Sequence, residues 1–323
     1  MTQGQARVAF GTFSPAVRLT VALKTENQEA EPLMSSAPLQ FPARPADGHK
    51  GTFGRVLIVA GSRGMSGAAS LCGVSSLRGG AGLVFVALPA GIQNIVASYE
   101  PGYLTIGLPE DSLTGQISDD SVAEVLAQAA SKDVIAVGPG LGCGSGTQAL
   151  IRQLCLTYRQ PMVLDADALN VLAGHLQSGC LSANDLSGPR VLTPHPGEFS
   201  RLSGLSIPEI ESQRMEVARE FAATHGVVLL LKGPRTIITD GLEVALNETG
   251  NSGMATGGSG DVLTGLIAAL MGQGLSPFNA ARTGAYLHGL AGDIAAAELS
   301  EPALIASDLP KYLPQAWMQA LAR

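Results

Sequence analysis

From Gly54 onward, short unbroken apolar runs alternate with segments of helical length, and this alternation limits the possible folds more than any other property of the chain. The runs are RVLIVAG (55–61), LVFVAL (83–88), DVIAVG (133–138), PMVLDA (161–166), RVLTP (190–194), VVLLLKG (227–233), TIITDG (236–241) and EVALN (243–247). Strands this uniformly apolar have no face to show to water. They require a mostly parallel sheet with helices packed on both sides. Helical spacing fits 66–78, 121–130, 147–158, 208–225, 261–271 and 278–299. The expectation is a single α/β domain over 45–323, preceded by an N-terminal extension or linker, 1–44, rich in Pro, Ser, Glu and Gln.

Hydrophobic residues make up 46% of the chain and charged residues 15%, enough to build a core, while aromatics at 4% leave that core to aliphatic side chains. A net charge of −7 with no basic run argues against nonspecific nucleic-acid binding. No stretch reaches the roughly 18 uninterrupted apolar residues of a membrane helix, and the first residues lack a signal-peptide pattern. Cys72, Cys143, Cys155 and Cys180 stand far apart without a C-x-x-C pair, which fits free thiols in a cytoplasmic protein better than zinc or disulfides.

In open parallel sheets, ligands bind beyond the carboxyl ends of the strands. The residues that follow the runs are accordingly the ones to read for chemistry. GMATGGSGDVLTG (253–265) sets Gly257, Gly258 and Gly260, all able to take positive φ, at the start of an apolar helix. The amides and dipole of such a helix start hold anions, phosphate above all. Asp261 beside them reads as an N-cap contributing about 1 kcal/mol, or as a base whose carboxylate the dipole keeps ionised at neutral pH. A phosphoryl group in that cradle would be attacked in line by a hydroxyl, its charge met by backbone, Mg²⁺ and Lys232.

DADALN places Asp165 and Asp167 at a strand end, suited to Mg²⁺ through water or to a ligand hydrogen bond, with an N-cap as the plainer role for Asp167. In TPHPGEF, Pro194 and Pro196 stiffen the chain around His195 and start a helical turn at Glu198. His195 is therefore read as a substrate contact, while His49, His175, His225 and His288 are read as structural. LLLKGPRT puts Lys232 and Arg235 at a break between strands, where they meet nucleotide phosphate or ribose, or simply make a polar turn. GSRGMSGAAS (61–70) and GPGLGCGSG (138–146) both miss the dinucleotide fingerprint G-x-G-x-x-G, and no P-loop motif occurs.

Taken in order, HKGTFGRVLIVAGSRGMSGAA, VGPGLG, VLDADALN, LTPHPGEF, LLKGPRT and NSGMATGGSGDVLTG resemble the ribokinase-like superfamily, and within it the ADP- or ATP-dependent NAD(P)H-hydrate dehydratases. The resemblance covers roughly residues 45–320. It implies a ribokinase-like fold and the repair of hydrated NADH and NADPH at the expense of ADP, or of ATP in some relatives, with Mg²⁺. By motif matching it implies that Ala68, Gly142, His195 and Asp261 contact the hydrated dinucleotide, Asp261 being catalytic. Lys232, Gly233, Pro234, Arg235, Thr236 and Gly260, with Gly257 and Gly258, would hold the nucleotide, and Glu198 would approach Mg²⁺ through water. The resemblance further implies a homo-oligomer, a tetramer being one expected form. Some relatives carry a fused epimerase. About 50 residues precede the first motif here, so the dehydratase alone is expected, working with a separate epimerase. The alternatives are a vitamin-precursor kinase of the hydroxymethylpyrimidine or hydroxyethylthiazole type and a nucleotide-binding regulatory module.

Overall fold

A computed structural model of the chain describes residues 33–35, 37–186 and 188–322. Among them are ten strands: β1 (Leu33–Met34), β2 (Arg55–Val59), β3 (Leu83–Pro89), β4 (Leu104–Leu108), β5 (Val134–Val137), β6 (Met162–Leu164), β7 (Arg190–Leu192), β8 (Val228–Leu231), β9 (Thr236–Thr239) and β10 (Glu243–Asn247). They form one sheet in the order β1-β10-β9-β8-β7-β6-β5-β2-β3-β4. From β8 to β4 every pairing is parallel. Only β9 runs against its neighbours, antiparallel to both β8 and β10.

Alternating side chains of each central strand enter two separate apolar clusters. Leu57 and Val59 of β2, with Ile135 and Val137 of β5, join one cluster; Val56, Ile58, Val134 and Ala136 join the other. Helices Ser145–Thr157, Asp167–Gln177, Pro196–Ser203 and Arg214–His225 cover the first, and Ser66–Arg78, Ser259–Gly272, Pro277–Leu299 and Leu309–Leu321 cover the second. Each fully buried Leu, Ile or Val contributes about 1.5–3 kcal/mol, which is why the buried positions of β2 and β5 are all aliphatic. The expected sheet with helices on both faces is the one found.

Four elements depart from the sequence expectation. β4, LTIGL, is an edge strand in which only Leu108 is buried, and Thr105 and Gly107 interrupt the continuous apolar signature. Helix Leu309–Leu321 contains Pro314, a residue that sequence reading treats as a break. The segment expected as one helix over 208–225 is two, Ile207–Ser212 and Arg214–His225, parted at Gln213 with φ −142°. Residues 1–32 of the expected extension lie outside the described residues, but β1 within it pairs with β10, and the Phe41 ring packs 5.8 Å from that of Trp317.

The strand ends that form the site are held unusually close. At Gly138 (φ +132°) a Cβ would lie 1.8 Å from the Asp165 carbonyl oxygen, so only glycine permits β5 and β6 to finish side by side. Among the described residues three non-glycines hold positive φ, and two of them, Ala166 (φ 50°) and Arg235 (φ 54°), directly follow or flank these strand ends.

Candidate active site

Three strand ends and one helix start are tied together by a buried charge cluster. Asp165, one residue beyond β6, is 1% exposed. Its Oδ1 accepts from Lys232 Nζ at 2.9 Å and its Oδ2 from Thr264 Oγ1 at 2.7 Å. Glu198 Oε2 lies 3.9 Å from the same ammonium. Burial works against the charge on Lys232, but Asp165 and Glu198 outweigh it and raise its pKa. A carboxylate this deep is tolerable only with such a partner. Asp165 therefore spends both oxygens on protein groups.

Beside the cluster opens a cleft of about 1090 Å³. His195, Lys232, Gly233, Pro234, Arg235, Thr236 and Gly260 line it, together with the loop after β10 and one face of helix Pro277–Leu299. Ala68, Gly142, Gly257, Gly258 and Asp261 are not among the lining residues. Ala68 and Gly142 belong to a second group: a Cβ on Gly140 would come 3.0 Å from that of Ala68, and the Gly142 N–H donates to Asp167 Oδ2 at 2.8 Å. The first turn of helix Ser259–Gly272 adjoins both: Ser259 and Gly260 line the cleft, and Asp261 is within the electrostatic reach of Asp167.

That start departs from the expected glycine geometry. Only Gly258, the N-cap at φ 99°, takes the left-handed conformation; Gly257 and Gly260 do not. Gly260 is already helical, and its reason is space, since a Cβ there would lie 3.2 Å from Lys232 Nζ. Asp261 occupies the first turn but makes no capping bond. The dipole argument for its permanent ionisation fails as well: burial, then the neighbouring Asp165 carboxylate, push it up to about 7.

A raised carboxylate binds protons in the folded state that the unfolded chain has lost. Its stabilising contribution is complete below about pH 4 and is lost as pH rises through about 7. Burial pushes His288 down to about 4, a shift of opposite sign, so the clean comparison is between variants. Asp261→Asn gains stability relative to the wild type between about pH 5 and about pH 8, as paired melting curves will show.

His195 is an N-cap. Its Nδ1 accepts from the N–H groups of Gly197 (3.0 Å) and Glu198 (3.3 Å), while Glu198 Oε2 accepts from the His195 N–H at 2.8 Å. This capping box leaves the ring proton on Nε2 and the side chain half in solvent. Asp167 is not the N-cap that was expected. Ala166 holds that position, and Asp167 instead binds the Gly142 amide and faces Cys143 Sγ at 3.8 Å. Arg235 is exposed and pairs with Glu248 at 3.8 Å.

Sequence reading missed Thr264 and His288. His288 was expected to be structural, but it forms part of the cleft wall, near Ser259 and Lys232. The legible signal was Ala285 and Gly289, small residues on the same side of the helix that also line the cleft, Gly289 admitting Thr249 against the helix. His49, His175 and His225 do bond to nearby backbone, as expected of structural histidines.

Among the described residues no group of three or more His, Cys, Asp or Glu could hold a metal. A protein-built cage thus does not fit. A Mg²⁺ carried by phosphate oxygens needs only one or two carboxylates, and Glu198, its Oε2 engaged by the cap, fits such a role through water.

The profile of a protein family described as NAD(P)H-hydrate dehydratase matches residues 56–315. The chain belongs to that family. Among NAD(P)H-hydrate dehydratase relatives, it is 48% identical over 277 residues to the bifunctional NAD(P)H-hydrate repair enzyme Nnr of Moorella thermoacetica, covering 85% of this chain and 51% of that one. The chain therefore spans about half the length of this bifunctional relative. It is 37% identical over 279 residues to the ADP-dependent (S)-NAD(P)H-hydrate dehydratase of Neisseria meningitidis, covering 84% and 86% respectively. The crystal structure of the ADP/ATP-dependent NAD(P)H-hydrate dehydratase of Bacillus subtilis, co-crystallised with ATP and Mg²⁺, superposes with a TM-score of 0.72 at 32% identity, covering 87% of this chain and 94% of that one. A ribokinase-like superfamily protein of Enterococcus faecalis gives 0.74 at 28% identity, covering 86% and 92%, so the fold is ribokinase-like.

Proposed function

We propose that the chain converts hydrated NADH and NADPH back to NADH and NADPH, with ADP giving AMP and phosphate. The observation that carries this reading is Asp261: a carboxylate in the first turn of a glycine-started helix, free of capping duty, with a pKa of about 7. A base for a hydroxyl proton needs a pKa close to the working pH. The substrates follow from the names of the relatives.

In this mechanism the terminal phosphoryl group of ADP rests on the first-turn amides near Gly257, Gly258 and Gly260, which meet its charge without reorganising. Asp261 takes the proton of the ring hydroxyl as that oxygen attacks phosphorus and the bond to AMP breaks. The phosphate ester then leaves as inorganic phosphate, a ring proton is lost, and the dihydronicotinamide is restored. Lys232, Gly233, Pro234, Arg235 and Thr236 hold the AMP portion; Ala68, Gly142 and His195 position the hydrate. Mg²⁺, when bound, neutralises phosphate charge, with Glu198 reaching it through water.

The name of the Neisseria relative specifies one epimer of the hydrate, so an epimerase is the partner that makes the other usable. We also place the chain in the cytoplasm as a homo-oligomer, a tetramer being the form to test by sedimentation. No helix of the described residues is long and apolar enough to cross a membrane.

The deciding experiment incubates the chain with hydrated NADH and either ADP or ATP, and follows the return of dihydronicotinamide absorbance. The expected result is recovery, faster with ADP than with ATP. A stable phosphorylated alcohol would mark a kinase, and flat absorbance without product a binding module.

A further inference from the structure

Beyond its first turn, helix Ser259–Gly272 is packed and, except for Thr264, apolar. From 262 to 271 every residue is buried, and Thr264 alone carries a side-chain hydroxyl. Burying a hydroxyl is unfavourable unless it is bonded, and the bond here is to a carboxylate, Asp165, at 2.7 Å. The other oxygen of Asp165 holds Lys232, whose ammonium lies beneath Gly260. Thr264 follows Asp261 by three residues and so shares its side of the helix. One hydroxyl therefore connects the helix start to the ends of β6 and β8.

We propose that Thr264 is a positioning residue: its hydroxyl fixes the Asp165 carboxylate, and through it Lys232, against the first turn of the helix that carries Asp261. The proposal rests on the reading of Asp261 as the base. The charged and titratable groups around Asp261 are Asp165 beyond β6, Lys232 beyond β8, Asp167 and Glu198 from the two helices on one face of the sheet, and Cys72 from helix Ser66–Arg78. Asp165 is the largest charged influence among them. Without the hydroxyl, Asp165 stays ionised by Lys232 but its field on Asp261 is no longer partly offset by the O–H dipole, so Asp261 gives up its proton at higher pH. Because the base must be deprotonated to act, the acid limb of kcat/KM moves in the same direction.

The test compares Thr264→Val, which keeps the shape and removes the hydroxyl, with Thr264→Ser, which keeps the hydroxyl. Both are measured in the whole chain. For a folded Thr264→Val we expect an ADP Kd within about twofold of the wild type, a kcat lower by about tenfold and an acid limb higher by about half a unit, with Thr264→Ser close to the wild type. A second readout needs no substrate: carboxylate-carbon NMR of Asp261 in the free protein should show its midpoint rising by the same amount. If the wild type repairs no hydrate, the enzymatic reading fails while the NMR titration still tests the coupling. An unmoved Asp261 midpoint in folded Thr264→Val overturns the proposal, as does a Thr264→Ser variant as impaired as Thr264→Val. Should Thr264→Val not fold, Thr264→Ala takes its place in the same comparison.

Discussion

Asp261→Asn lowers kcat by about a thousandfold while the affinity for ADP stays within a few-fold of the wild type. The amide keeps the size of the carboxylate and cannot take a proton, so the loss falls on the chemical step. Nucleotide affinity is spared because the side chain does not line the cleft in which the nucleotide is placed. Stability does not fall and near neutral pH it rises, since Asp261 caps nothing and its burial disfavours the charged form. Single-turnover kinetics beside calorimetric ADP titration will separate the two effects. Turnover within tenfold of the wild type would remove Asp261 from its role as base.

Lys232→Met has the second large effect, and on a different quantity. The substitution keeps a flexible apolar stem but leaves Asp165, 1% exposed, and the buried Glu198 without their shared cation. Breaking a buried pair by removing one partner costs about 3–5 kcal/mol. For a chain of this size that corresponds to a fall in Tm of roughly 4–8 °C. Nucleotide affinity falls with it, because the cleft loses its innermost cation. Replacing Asp165 by Asn in the same chain removes the buried charge and recovers part of the lost stability. If Lys232→Met melted at the wild-type temperature, the ion pair would have no structural weight.

These two residues show unequally what a sequence discloses. Asp261 was legible because glycines, a carboxylate and an apolar helix follow one another within one short segment. His195 and Glu198 were legible for the same reason, flanking prolines having fixed their local geometry in advance. The pairing of Lys232 with Asp165 was not, because 67 residues separate them and only the order of β6 and β8 in the sheet brings them together. Thr264 was hidden because a threonine within a hydrophobic helix reads as one more β-branched core residue. The ionisation of Asp261 was misread because the helix dipole is visible in sequence, whereas the opposing burial and Asp165 belong to the tertiary structure. In the fold, the doubly covered strands announced themselves, while the half-exposed edge strand β4 and the proline-bearing last helix did not.

The cleft and the group around Ala68 and Gly142 do not share a lining, yet both adjoin the start of one helix. On the proposed function, ADP in the cleft and a hydrate beside Ala68 and Gly142 would be bound together at that helix start, and the phosphoryl group would pass directly from one to the other without a phosphorylated form of the protein.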